Sequence, residues 1–175
     1  FAGVHDQHER ALGELALRGD GTVIAWGGPD HGLYVPGDLS NVVQVSATHA
    51  RSAALKSDGT VVPWGGVYFD HDLASLTNVV SISYGGDFWL ALKSDGTLVA
   101  GGNSDPGRTN LSPGLTNIVA IDAGGAHSLA LKADGTVFAF GIEVAGSTVV
   151  PPGLSNVIGV SAGSHFSAVL KSDGT

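Results

Sequence analysis

The apolar residues of this chain come in short runs separated by glycine-rich punctuation. The clearest set lies between residues 115 and 141. Asn117-Ile-Val-Ala-Ile-Asp-Ala123 alternates with period two, which places Val119, Ile121 and Ala123 on one face and Ile118, Ala120 and Asp122 on the other. A corner follows, Ala123-Gly-Gly-Ala-His127, and then a second run, Leu129-Ala-Leu-Lys132. Asp134-Gly135 leads into a third run, Val137-Phe-Ala-Phe140. Asp-Gly between two apolar runs predicts a hairpin with a type I′ turn, whose two central residues both take positive φ.

The same set recurs along the chain. Asp-Gly-Thr stands at 20–22, 58–60, 95–97, 134–136 and 173–175, a spacing of 37 to 39 residues. A fixed period of this size marks a solenoid, a propeller or another array. First runs begin at Asn41, Asn78, Asn117 and Asn156, each two residues after a leucine. Second runs end at Arg18, Lys56, Lys93, Lys132 and Lys171, and third runs are Val23–Trp26, Val61–Trp64, Leu98–Gly101 and Val137–Phe140. The large-ring position of the third run reads Trp26, Trp64, Gly101 and Phe140 in successive copies. Both faces of each three-stranded unit are apolar, so each must be covered on both sides. Broadside stacking of like units does that, and a propeller is its closed form.

Outside the core of the unit the pattern loosens. Phe1-Ala-Gly-Val-His5 reads as a corner, and Asp6–Glu14 as an insertion of helix-forming composition too short to hold a helix alone. The return segments Tyr34-Val-Pro36, Asn110-Leu-Ser-Pro113 and Val149-Val-Pro-Pro152, with the shorter Asp70–Ala74 in the second copy, predict a short irregular fourth strand, since proline is confined to sheet edges.

Composition narrows the choices. The 175 residues include 27 glycines and 43% hydrophobic residues against 14% charged ones, a profile of many short strands and tight turns rather than disorder. The net charge of −8 argues against nucleic acid and against an anionic membrane surface, both of which select Lys and Arg. Without cysteine there is neither a disulfide framework nor a thiolate metal site. The chain has no methionine and begins Phe1-Ala-Gly, as expected of a piece of a larger propeller.

The run Leu115 to Gly141 resembles the repeat of the regulator-of-chromosome-condensation family in its short bacterial form, and the resemblance covers roughly residues 15–175. It implies a seven-bladed propeller. Seven units of this period exceed the chain, which holds four periods and a part. The expected architecture is therefore all-β: a single repeat domain, 1–175, forming a partial or open ring of about four to five blades. Each blade would have three to four antiparallel strands; a small closed ring is the alternative. Gly101 in place of a ring, Thr48-His49-Ala-Arg51 at a corner, and Pro63 within a third run depart from the family pattern.

Antiparallel pairing sorts the loops. Corner loops and the loops after each third run share one face; Asp-Gly turns and the Asn entries share the other. The first face carries Asp30-His31, Tyr68-Phe69, Asp87-Phe88-Trp89, His127 and His165-Phe166. Variable aromatic loops on a rigid scaffold are good anchors for a protein partner. The candidate protein-binding residues are Tyr68, Phe69, Asp87, Phe88, Trp89, His165 and Phe166. For Phe88 and Trp89, packing between blades is the stronger reading, from the burial habits of large rings. The resemblance extends to propeller-type β-lactamase inhibitory proteins, whose contact aromatics fall at Ala50, Asp87, Ala126, His165, Tyr68 and Phe69. Only His165, Tyr68 and Phe69 keep a ring, so that inhibition does not carry over.

No catalytic constellation stands out. His127 reads as a corner hydrogen-bonding residue. Asp70-His71-Asp72, and His5 and His8 with Glu9, lack the three or four converging ligands of a metal site. The expected function is a non-enzymatic protein-binding module without a cofactor, in an exported or cell-surface bacterial protein. Its blade edges invite self-association. The alternatives are a lyase or hydrolase at the propeller mouth, and nucleotide exchange on a small GTPase.

Overall fold

A computed structural model of the chain describes residues 3–4, 14–27, 34–48, 51–65, 71–102, 107–111 and 115–175. Five small sheets follow one another along the sequence. The first is β1 (Gly3–Val4), β2 (Glu14–Leu17) and β3 (Val23–Trp26). The second is β4 (Val42–Thr48), β5 (Arg51–Lys56) and β6 (Val61–Trp64). A helical turn, α1 (His71–Ala74), precedes the third: β7 (Val79–Tyr84), β8 (Phe88–Lys93) and β9 (Leu98–Gly102). The fourth is β10 (Ile118–Ala123), β11 (His127–Lys132) and β12 (Val137–Gly141), and the fifth is β13 (Val157–Ala162) with β14 (Ser167–Lys171). Each sheet is ordered as its strands occur in the sequence. The chain divides into two compact units, residues 1–82 and 83–175.

Three expectations change here. Gly3–Val4 is a first strand, not a corner: Val4 stands opposite Leu15 as Asp122 stands opposite Leu129. Of the insertion read at Asp6–Glu14, residues 6–13 lie outside the described residues, and Glu14 opens β2. No fourth strand forms among the described residues, because the return segments are rich in proline, which has no amide to add to a ladder. His71–Ala74 instead makes a helical turn that buries Leu73.

The third change concerns the Asp-Gly turns. Only the glycine has positive φ, between 79° and 86°. Gly59 N–H donates to the Lys56 carbonyl at 3.0 Å and Lys56 N–H to the Thr60 carbonyl at 2.9 Å. This is a three-residue loop closed by a left-handed glycine, not a two-residue type I′ turn. The aspartate explains the choice. Asp58 Oδ1 accepts from the Thr60 amide at 3.0 Å and the Thr60 hydroxyl at 2.6 Å, a local turn of its own. The same bonds recur at Asp20 and Asp173.

These bonds hold every turn aspartate below the ordinary carboxylate value, the threonine hydroxyl acting most and its amide next; Asp173 is lowered to about 2. A carboxylate with a lowered folded pKa contributes stability that is complete above its ordinary value of 3.8 and is lost as pH falls through the folded value. Melting temperature is therefore expected to drop as pH goes from 3.8 toward about 2. Thr60→Val and Thr136→Val should raise the titration midpoints of Asp58 and Asp134, read by carboxyl NMR. Unmoved midpoints would refute the assignment.

First strands carry a bulge rather than strict alternation. Ile118 pairs with Lys132, yet Ala120 pairs with Leu131, so Val119 is the extra residue and turns to solvent. Ile118, Ile121 and Ala123 are then buried on the same side. The shift recurs at Val42/Gln44 and Val157/Gly159. The first strands β4, β7, β10 and β13 are each entered through an asparagine with φ of 57° to 60°, a conformation asparagine tolerates.

Within each unit the sheets stack broadside. In residues 1–82, Leu15, Leu17 and Val23 of the first sheet pack against Val42, Val45, Ala54 and Trp64 of the second. In residues 83–175, Phe88, Leu90, Leu92 and Leu98 meet Ile118, Ile121, Ala130 and Phe140. Leu129, Leu131 and Val137 in turn meet Val157, Val160 and Val169. The fourth sheet thus faces the third with one side and the fifth with the other.

Polar side chains of the first strands fasten this stacking. Gln44 donates to the Ile82 carbonyl at 2.9 Å and accepts from the Ile82 amide at 3.0 Å. Ser83 Oγ accepts from the Ala123 amide at 3.0 Å and donates to Asp122 Oδ1 at 3.0 Å. Asp122 Oδ2 accepts from the Ala162 amide at 2.8 Å. The corner glycines add backbone bonds, Gly86 N–H to the Gly124 carbonyl at 3.1 Å and Gly125 N–H to the Gly163 carbonyl at 3.2 Å.

The missing ring at Gly101 also finds its reason. Gly101 pairs across the strands with Trp89, where the other sheets pair Ser52 with Trp64 and Ser128 with Phe140. A Cβ on Gly101 would stand 2.7 Å from Trp89 Cε2, inside van der Waals contact. The indole on the second strand fills the volume that a third-strand ring fills elsewhere. Pro63 sits on β6, the edge strand of its sheet, where one row of amides needs no ladder partner.

Candidate protein-binding surface

Hydrogen bonds place the loops on two sides, as antiparallel pairing requires. On one side the chain leaving β12 returns to the corner before β11, Ile142 N–H donating to the Ala126 carbonyl at 2.9 Å. In the third sheet Arg108, beyond β9, reaches the corner residue Asp87 at 3.3 Å. On the other side the turns meet the strand entries, Ala133 N–H donating to the Asn117 carbonyl at 3.0 Å.

The corners are tight and nearly identical. Gly85, Gly124 and Gly163 each donate their amide across the corner, to the carbonyls of Phe88, His127 and Phe166, at 2.8 to 2.9 Å. The ring of that third residue folds back over the glycine, so a side chain there would strike it. Between these fixed points one residue projects outward. It is Asp87 in the third sheet and His165 in the fifth, both exposed, and Ala126 in the fourth, which is buried.

The sequence candidates separate accordingly. Asp87 and His165 lie on the corner side and are open to solvent. Phe88 and Trp89 are core residues: Phe88 joins the stack against Ile121 and Phe140, and Trp89 lies over Gly101. As surface contacts they are corrected to packing residues, because alternation on β8 turns both rings toward neighbouring layers of the sheet rather than toward its end. Phe166, the corner residue just before β14, is exposed, with its ring lying over Gly163. Tyr68, Phe69, Asp30 and His31 lie outside the described residues.

His127 is wholly buried. Ser167 Oγ donates to the Ser147 carbonyl at 3.1 Å, so its lone pairs receive the His127 Nε2–H at 2.9 Å. Burial holds the imidazole below its ordinary pKa, against the smaller opposing pull of Glu143. The ring is therefore a neutral packing and hydrogen-bonding element.

Two surface residues escaped the sequence reading. Arg108 has no local pattern linking it to Asp87, which is 21 positions away. Glu143 ties the loop after β12, accepting from the Gly146 amide, from the Thr148 amide at 2.9 Å and from the Thr148 hydroxyl. The Thr148 hydroxyl bond is the main reason its carboxyl is held below the ordinary value. An acid three residues before a glycine and five before a threonine was the available signal. Together Asp87, Arg108, Glu143 and His165 give this side a charged, loop-borne chemistry. The opposite side repeats the same Asp and Thr in each copy, with a lysine in four copies and Arg18 in the first.

Small antiparallel sheets laid broadside and pinned through their first strands are the blades of a β-propeller. Residues 118–146 match the family model of the regulator of chromosome condensation (RCC1) repeat, so the fourth blade carries that repeat. Among curated proteins no sequence match is found. Solved structures share the fold. Human WBSCR16 superposes with a TM-score of 0.73 at 20% identity, over 91% of this chain and 56% of that one. Prp20p of Saccharomyces cerevisiae, a protein with binding properties toward Gsp1p and histones, gives 0.73 at 20% identity, over 90% and 53%. The ectodomain of the Physcomitrella patens receptor kinase CR4 gives 0.75 at 23% identity, over 93% and 47%. The chain spans about half the length of these proteins.

Proposed function

We propose that this chain is a protein-binding module, without catalysis of its own, that engages its partner through the corner side of the blades. The observation that carries this reading is the contrast between the two loop sides. The corner side varies from blade to blade while its glycine corners stay rigid; the other side repeats. Variable chemistry on a fixed frame suits recognition. The fold is used this way elsewhere: Prp20p has binding properties toward Gsp1p and histones, and yeast RCC1 (Prp20) has been seen bound to Kap60. The enzyme alternative gains nothing from His127, which is neutral, buried and occupied by Ser167.

Exchanging Asp87 and Arg108 tests the surface. The double variant Asp87→Arg with Arg108→Asp keeps an ion pair but reverses the charge presented; with the Asp87 side chain 61% exposed and that of Arg108 20% exposed, solvent screens the pair and it contributes only about 0–1 kcal/mol to folding. Affinity for a partner isolated on the wild-type chain is expected to fall about tenfold or more, as for a contact near the centre of an interface. The melting temperature should not change. Unaltered affinity in this variant and in His165→Ala would place the binding surface elsewhere.

A further inference from the structure

Packing alone does not call for an imidazole at residue 127. Phe88 and Phe166 hold the same corner position in the third and fifth blades, and Phe88 is as fully buried as His127, each 0% exposed. What histidine adds is a polar ring at the seam between two blades. Its Nε2–H donates to Ser167 of the fifth blade at 2.9 Å, and Ser167 Oγ donates onward to the Ser147 carbonyl at 3.1 Å. Ser147 lies in the loop after β12, so one imidazole joins a strand, a loop and the next blade. The ring also borders Gly124, where the two corners cross and Gly125 N–H donates to the Gly163 carbonyl at 3.2 Å.

The other ring nitrogen has no such tie. Nδ1 is buried without a hydrogen-bond partner. With the hydrogen on Nε2, it holds an uncharged lone pair, which is a modest burden to bury. A second proton would make it a charged N–H with no acceptor, which burial penalises far more. Burial is the largest influence on the charge of this ring, and three titratable groups face it. Glu143, from the loop after β12, and Asp122, from β10, favour the charged form; His165, at the corner of the fifth blade, opposes it. Both carboxylates are engaged elsewhere, Glu143 with Gly146 and Thr148, and Asp122 with Ser83 and Ala162. Neither serves as an acceptor for Nδ1.

We propose that His127 is a pH-operated latch: neutral, it holds the fifth blade and the loop after β12 against the fourth blade, and protonated, it releases that contact. Opening the seam returns the ring to water, where it binds a proton at its ordinary value of 6.5. A histidine with a lowered folded pKa contributes stability that is complete above the ordinary value and is lost as pH falls toward the folded one. Release therefore begins in mildly acidic solution, whereas the turn aspartates act only below 3.8. The latch concerns contact between blades and does not depend on the binding role proposed for the corner side.

A titration and amide exchange test this on the whole chain. The His127 imidazole, followed by NMR, should titrate below 6.5. Gly125 and Ala162 each give an amide to the seam, the first to Gly163 and the second to Asp122. Their protection, relative to unstructured chain at each pH, should fall about tenfold between about pH 7 and about pH 5. In His127→Phe, which takes the residue found at this position in the neighbouring blades, protection should stay level over that range. It should also stay level in His127→Gln, which keeps a donor for Ser167 and does not titrate. Gly86 and Ala123, whose amides bond between the third and fourth blades, should keep their protection in all three proteins. A ring that titrates at or above 6.5, a level profile in the wild type, a fall that persists in both variants, or an equal fall at Gly86 and Ala123 would each overturn the proposal.

Discussion

Trp89→Ser and Gly101→Trp should each strongly destabilise residues 83–175, while the two together should restore most of the loss. The single changes fail for opposite reasons. Removing the buried indole leaves a cavity, and losses of about 3–5 kcal/mol are usual when a large aromatic is truncated in a core. Adding a ring to Gly101 drives it into the Trp89 indole, since even a Cβ there would stand 2.7 Å from Cε2. Overpacking of this kind costs about 1–3 kcal/mol, and more where a rigid ring must move. The double variant recreates the pairing that Ser52 and Trp64 already make in the second blade. Contacting residues commonly couple by about 0.5–3 kcal/mol, and this pair should lie at the upper end because each change removes the fault of the other. Urea denaturation of the four proteins gives the coupling directly. If the two losses simply add, the exchange of ring between strands is not what fills this layer.

That pair also shows what a sequence of this kind discloses. The blades were legible because repetition makes one pattern visible five times. Period-two runs, Asp-Gly turns and a two-sided apolar character lead to stacked sheets without any coordinates. Gly101 was visible as a gap, yet its filling by Trp89 was not, because cross-strand partners are set by register. Register was misread in the first strands, where a bulge turns Val119 outward and brings Ile118 and Ile121 to the same side. The turn type was misread for a similar reason: Asp-Gly alone suggests a two-residue loop, but the aspartate carboxylate captures the threonine and forces a three-residue one.

The candidate surface was less legible than the fold. Asp87 and His165 follow from the corner position, since the residue after two small ones must project. Arg108 acts through a contact 21 positions away that no short pattern encodes, whereas Glu143 acts within its own loop, where the glycine and threonine spacing was the signal passed over. Phe88 and Phe166 are the sharpest case. One residue type at one repeat position is core in the third blade and surface in the fifth, and only the neighbouring blade decides which. Exposure in a stacked array is a property of the position in the stack as much as of the residue.

Glycines in the stack obey the same logic, and Gly124→Ala is expected to loosen the fifth blade from the fourth. Gly124 is not a positive-φ residue, so its backbone would accept a side chain. The obstacle is the next blade. A Cβ there would run into the Gly163 carbonyl oxygen and stand 3.2 Å from His127 Cε1. Relief requires the fifth blade to move away, which lengthens the Gly125 to Gly163 hydrogen bond and the Ala162 to Asp122 bond beside it. Two weakened hydrogen bonds at about 1 kcal/mol each, added to the steric penalty, give an expected loss of about 2–4 kcal/mol. Gly159→Ala is the matched control in the same blade. A Cβ there meets only Leu170 Cβ at 3.6 Å, an ordinary contact, and the fourth blade already has Ala120 at that position. It should be neutral or stabilising by about 0.4–1 kcal/mol, through lower entropy of the unfolded chain. Amide exchange at Gly125 and Ala162 should quicken in the first variant and not in the second. Equal, mild effects from both would mean that the close approach of the two corners does not govern how these blades stack.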